Sequence, residues 1–206
     1  RTSPKTQSSL LEVMEEGQVT VDGTTYRMPS PFIVLATQNP VDFVGTYPLP
    51  EAQLDRFFMR VSIGYPSQEE EIDILERYTS GARPMEELKP ICSSQDIVKL
   101  QQQVDTVYTS REVRAYISAI AAASRKNGAL QLGVSTRAAI SLLRAGQARA
   151  LLMGRDYVSP EDIQKMAEPV LAHRLVLSPE ARMRNMTAQR VLANILGAVQ
   201  VPVKAR

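Results

Sequence analysis

One cysteine, Cys92, is all the thiol in this 206-residue chain, so no intramolecular disulfide can form and a thiolate metal cage lacks its ligands. A reducing compartment, the cytoplasm, is the expected location. One histidine, His173, likewise excludes a multi-histidine metal centre and reads as a structural or surface group. No Ser-His or Cys-His pairing for nucleophilic catalysis can be argued, and no metal site is expected in the chain. Tryptophan is absent, and 7 Tyr with 4 Phe give little surface for stacking single-stranded nucleic acid. No apolar run approaches the roughly 18 residues of a membrane-spanning helix. No Gly is followed by Lys, so the phosphate-cradling Gly-x-x-x-x-Gly-Lys-Ser/Thr loop is missing, and no apolar strand ends in Asp-Glu to hold magnesium. An excess of one charge is missing too: 24 Lys and Arg stand against 22 Asp and Glu, which rules out a uniformly basic nucleic-acid coat.

What is present is a globular composition, 44% hydrophobic, with strong local punctuation. Ser3-Pro4 starts a helix expected over residues 4 to 16, with Leu10, Leu11 and Met14 on one face and Gly17 as its stop. Val19 and Val21 then alternate with polar residues up to Asp22-Gly23, the signature of a tight hairpin running to Tyr26. Phe32 to Ala36 is a continuous apolar run that predicts a strand buried on both faces, and Met59 to Ile63 has strand character. Between them lies a short helix expected over Glu51 to Phe58. Beyond Gly64-Tyr65-Pro66-Ser67 the pattern is helical: Glu69 to Tyr78, Ile97 to Val104, a helix capped at Thr109 and reaching Lys126, one from Ser135 through Leu152, one from Ser159-Pro160 towards His173, and a last one over Thr187 to Ala198. Charge divides along the same line. Residues 1–136 carry 13 basic and 17 acidic groups, net −4, whereas residues 137–206 carry 11 and 5, net +6.

Three residues stand where chemistry is possible. Asn39 follows the apolar run, at the carboxyl edge where open α/β sheets bind ligands, and its amide can hold a water or a phosphate oxygen. Arg56 sits beside Phe57-Phe58, so a permanent charge is anchored on a helix end and suited to reach a phosphate on a neighbouring molecule. Arg137 begins its helix and can face a cleft, with Arg144 two turns later. Local pattern alone favours an Asn-Pro turn at Asn39 and a surface pairing of Arg56 with Asp55 or Glu51, and a solvated basic face serves Arg137 and Arg144 equally well.

The run RTSPKTQSSLLEVMEEGQVTVDGTTYRMPSPFIVLATQNPVDFVGTYPLPEAQLDRFFMRVSIGYPS, with ATQNP and GTYPLPEAQLDRF inside it, closely resembles the second half of the nucleotide-binding core of MoxR-type AAA+ ATPases. GVSTRAAISLLRAGQARALLMGRDYVSPEDI, from Gly133 to Ile163, resembles that family's helical lid. The resemblance implies an α/β remnant of a P-loop AAA+ core over residues 1–66 followed by an all-α lid over 67–206. It further implies that Asn39 is the sensor 1 residue orienting the attacking water, Arg56 the arginine finger and Arg137 the sensor 2 residue, with the hairpin as a pre-sensor-1 insertion. His173 and Cys92 keep their plain readings.

Such ATPases carry the phosphate loop and the Asp-Glu strand upstream of the stretch that begins at Arg1. The expectation is a carboxyl-terminal portion of a larger protein that binds ATP and Mg2+ when intact, while this chain alone binds neither and is inactive. The whole protein is expected to form a ring, a hexamer, and to remodel or mature a protein client, for example by assisting metal-cofactor insertion. The alternatives are a magnesium-chelatase-like ATPase subunit, a nucleic-acid-binding AAA+ module, and an α+β interaction domain without catalysis. Asp22 at the hairpin tip argues against nucleic acid.

Overall fold

The structure, a computed structural model, describes residues 10, 13–14, 16–37, 51–79 and 88–202. The helix expected over residues 4 to 16 lies largely outside them, although Leu10, Val13, Met14 and Glu16 are helical. After Gly17 come β1 (Gln18–Val21) and β2 (Thr24–Arg27), paired antiparallel with Gln18 opposite Arg27 and Val21 opposite Thr24. The turn needs positive φ at both central positions, and Asp22 (49°) and Gly23 (78°) supply it. Thr20 and Thr25 hydrogen-bond through their hydroxyls across the ribbon at 3.1 Å.

The two further strands that the apolar runs predict do not form. Residues 32–37 and 59–63 carry no strand, and Ile33 and Leu35 are 77% and 86% exposed. A strand exists only against a neighbour that takes up its N–H and C=O groups, and no described segment pairs with either run. The short helix after Pro50, α1 (Glu51–Leu54), is also briefer than its pattern and gives way to a turn at Asp55.

Next are α2 (Gln68–Thr79) and α3 (Ser94–Thr106), each opened by a serine capping box: Ser67 with Glu70 and Ser93 with Asp96. The following helix, α4 (Arg111–Lys126), takes its cap from Ser110, whose Oγ accepts from Val113 N, and not from Thr109. The backbone just before is committed to a bridge, Tyr108 N to Asp156 O and Val158 N to Tyr108 O, so the chain enters the helix one residue later than the pattern suggests. Ser135 and Ser159 cap α5 (Thr136–Leu152) and α6 (Pro160–Leu171) as the sequence indicates, and Thr187 caps α8 (Ala188–Ala198). A 3-10 turn, Ala172–Arg174, continues α6, and the short α7 (Pro179–Met183) precedes α8. A small antiparallel ribbon of β3 (Leu130–Leu132) and β4 (Val176–Leu177), unforeseen in the sequence, closes the helical part.

Helices α4, α5, α6 and α8 enclose one core centred on Ile120, Leu142, Ile163, Leu171 and Leu192. Small residues on α5, Ala138, Ala145, Gly146 and Ala150, let α6 come close. Gly133 is required by proximity, since a Cβ there would stand 2.7 Å from the Arg125 backbone nitrogen. The adjacent Val134 N donates to the buried Ser124 Oγ, which itself donates to Ala121 O.

Candidate functional site

Arg56 lies in the turn that ends α1, where Arg56 N and Phe57 N donate to Gln53 O and Leu54 O. The turn is held from outside by Arg174, whose side chain is 3% exposed. The four Nη donors of that guanidinium are placed on carbonyls, while buried Nε pairs with Asp55 by charge without a hydrogen bond of its own. Nη2 donates to Asp55 O (3.1 Å) and Phe57 O (2.6 Å), Nη1 to Phe58 O (3.3 Å) and Val170 O (2.6 Å), and Nε stands 3.0 Å from the Asp55 carboxylate. Burial pulls the Arg174 guanidinium below the ordinary arginine range, and the charge of Asp55 opposes it.

His173 supplies a second tie. Its Nε2 donates to Phe57 O at 3.2 Å, which makes this nitrogen the protonated one in the neutral ring. Burial holds the imidazole below the usual histidine range, the Phe57 carbonyl works in the opposite direction, and the Arg174 and Arg60 charges add to the depression. A third tie is main-chain, Arg60 N to Pro169 O at 2.8 Å.

Asp55 also touches the start of α5. Ser135 Oγ donates to both carboxylate oxygens at 3.4 Å each. Arg137 follows two residues later on the exposed first turn of that helix. The structure thus brings the Arg56 turn and the Arg137 helix end to one place, with Asp55 between them. Asn39 lies outside the described residues. Arg144 pairs with Asp105 of α3 at 3.4 Å with both side chains well exposed, an ordinary surface ion pair.

A second charged cluster organises the helical part. Asp162 is fully buried at the start of α6. Arg155 grips it with two hydrogen bonds (2.8 and 2.6 Å), Ser159 donates through N and Oγ (2.8 Å each), and Arg149 of α5 donates from the far side. Burial alone would push the carboxyl up, but the hydrogen bonds from Arg155, Ser159 and Arg149 hold it well below the usual carboxylate range. Sequence reasoning passed over Asp55, Asp162 and Arg174 as active participants. The only local signal was the Ser-Pro-Glu-Asp spacing that makes Asp162 the capping partner of Ser159.

The sequence model of the ATPase family associated with various cellular activities (AAA) matches residues 1–59, and that of the AAA lid domain matches residues 122–195. Fold and matches together define a piece of AAA+ ATPase core carrying its helical lid. YeaC of Bacillus subtilis, itself uncharacterized, is 50% identical over 204 residues, covering 99% of this chain and 63% of YeaC. The chaperone MoxR1 of Mycobacterium tuberculosis is 39% identical over 211 residues, 98% of this chain and 55% of MoxR1. The crystal structure of a candidate ATPase from Cytophaga hutchinsonii matches with a TM-score of 0.91 at 38% identity, over 98% of this chain and 64% of that one. The chain belongs to the MoxR-type AAA+ ATPases. It spans 63% and 55% of the length of the two curated relatives.

Proposed function

We propose that this chain is the second half of the AAA+ core (residues 1–66) with its lid (67–206) in an ATPase that spends ATP on remodelling or maturing a protein client. Assistance in metal-cofactor insertion is one such task. The likeness to a protein named a chaperone supports the client reading. In this reading Asn39 orients the attacking water, Arg56 is the arginine finger and Arg137 is the sensor 2 residue.

The observation that carries it is the Asp55 junction, where the Arg56 turn meets the helix end bearing Arg137. Two permanent cations flanking one junction suit a phosphate approached from one side. In a ring, Arg56 places its charge on the phosphoryl group bound to the adjacent copy, where negative charge builds up during transfer; such a finger is worth about 1,000- to 100,000-fold in rate. Magnesium, when bound with ATP, neutralises phosphate charge. The donors here suit the phosphates rather than the ion. Among the described residues no three His, Cys, Asp or Glu side chains gather to hold a metal, and we assign the ion no residue of this chain.

The test is Arg56→Ala in the full-length ATPase. Hydrolysis is expected to fall about 1,000-fold or more, while ATP affinity stays nearly unchanged. Normal turnover by this variant would end the assignment.

A further inference from the structure

We propose that Arg174 is a positioning residue for hydrolysis, a clamp that fixes the Arg56 turn to the lid so that Arg56 and Arg137 are presented as one unit. The proposal rests on the reading of Arg56 as the finger. Three carbonyls flanking Arg56, those of Asp55, Phe57 and Phe58, converge on this single guanidinium, and a fourth, that of Val170, holds it to α6. With the backbone on both sides held, Arg56 keeps only its side-chain rotamers. The Arg174 side chain is 3% exposed and its four Nη donors are taken by carbonyls, so its effect on a substrate passes through Arg56.

The carboxylate of Asp55 closes the unit. It stands between Arg174 Nε at 3.0 Å and Ser135 Oγ at 3.4 Å, and Ser135 is the N-cap of the helix that carries Arg137. A change in lid orientation therefore carries the Arg56 turn with it. Lysine cannot take over the role, because an ammonium has three donors on a point and lacks the planar fork that reaches four carbonyls at once. Displacing a catalytic group by about 1 Å can cost roughly 100-fold in rate.

The experiment uses the full-length ATPase with Arg174→Lys, Asp55→Asn and, as reference, Arg56→Ala. The readouts are kcat and KM for ATP, affinity for a fluorescent ATP analogue, and hydrogen exchange at the Arg60 amide. Arg174→Lys is expected to lower kcat per folded molecule by about 10- to 100-fold, with KM and analogue affinity within about twofold and faster exchange at Arg60. Asp55→Asn keeps the four carbonyl bonds and is expected to lower kcat less, again without moving KM. A merely structural role would reduce the folded fraction and leave kcat per folded molecule alone. Unchanged kcat in Arg174→Lys beside an inactive Arg56→Ala overturns the clamp and spares the finger. Normal turnover in Arg56→Ala removes the finger and the clamp together. Should Arg174→Lys fail to fold, Asp55→Asn decides, and an unchanged kcat there overturns the proposal.

Discussion

Residues 18–37 with 51–79, and residues 107–199, use similar apolar side chains to opposite ends. In the second region Ile120, Leu142, Ile163 and Leu192 vanish into one core; in the first, Ile33, Leu35, Val61 and Ile63 face outward. What differs is return of the chain. Ser135, Ser159 and Thr187 start helices at defined points, so α5, α6 and α8 fold back on α4 and each apolar stripe finds another. The upstream apolar runs join no sheet among the described residues, and apart from Met59, which packs against the lid core, their large side chains stay exposed. Burial is thus a property of closure. Among the described residues the seam between the regions is largely polar: Asp55 with Ser135 and Arg174, His173 on Phe57 O, and a main-chain bond from Arg60, beside the apolar contact of Met59 with the lid core.

The sharpest way to break this contrast is to cut the same side chain on each side of it. Ile120→Ala should cost about 4 kcal/mol, since a fully buried isoleucine leaves a cavity in addition to its lost transfer energy. Ile63→Ala should leave the urea midpoint of the chain where it is, because Ile63 is 99% exposed. Comparable losses in the two variants would mean that the upstream run is covered after all.

The same local motif meets two different environments in this chain. Ser93-x-x-Asp96 and Ser159-x-x-Asp162 are both capping boxes, yet Asp96 is exposed while Asp162 is sealed between two arginines. Asp162→Asn should cost about 3 kcal/mol, because Arg149 and Arg155 lose the charge that offsets their partial burial. Asp96→Asn should be far milder. Equal chemical-denaturation shifts would show that Asp162 acts only as a cap.

These two boxes also show what local sequence can carry. Caps, the Asp22-Gly23 turn and the apolar stripes are decided within a few residues, and helices α2 to α6 and α8 were readable for that reason. Asp162 and Arg174 were not, because a charged residue reads as surface until its partners arrive from elsewhere: Arg149 from the preceding helix, and the carbonyls of Asp55 and Phe57 from more than a hundred residues upstream. The ribbon of β3 and β4 has too few residues to show a period. Arg56 and Arg137 were candidates from local pattern and took their roles from a family likeness; the meeting of the Arg56 turn with the helix end bearing Arg137 at Asp55 emerged only from the fold.

The smallest expected effect probes the seam itself. His173 is the one histidine in the chain, and carboxylates have finished titrating by about pH 5.5, so the interval from there to pH 6.5 reports on it almost alone. Its folded-state range lies below the ordinary histidine value, chiefly through burial and then through the Arg174 and Arg60 charges, with the Phe57 and Pro169 carbonyls opposing. The unfolded chain therefore takes up a proton in this interval before the folded chain does. Stability is fully present above pH 6.5 and declines as pH falls below it, by at most about 1.4 kcal/mol per pH unit for one proton. His173→Gln retains a donor for Phe57 O but has no proton to gain, and its stability should be flat where the wild type slopes. Hydrogen exchange at Arg60 should rise along the same slope, because a charged imidazole beside Arg174 loosens the contact joining the two regions. Equal slopes in the two proteins would place the pH response elsewhere than His173.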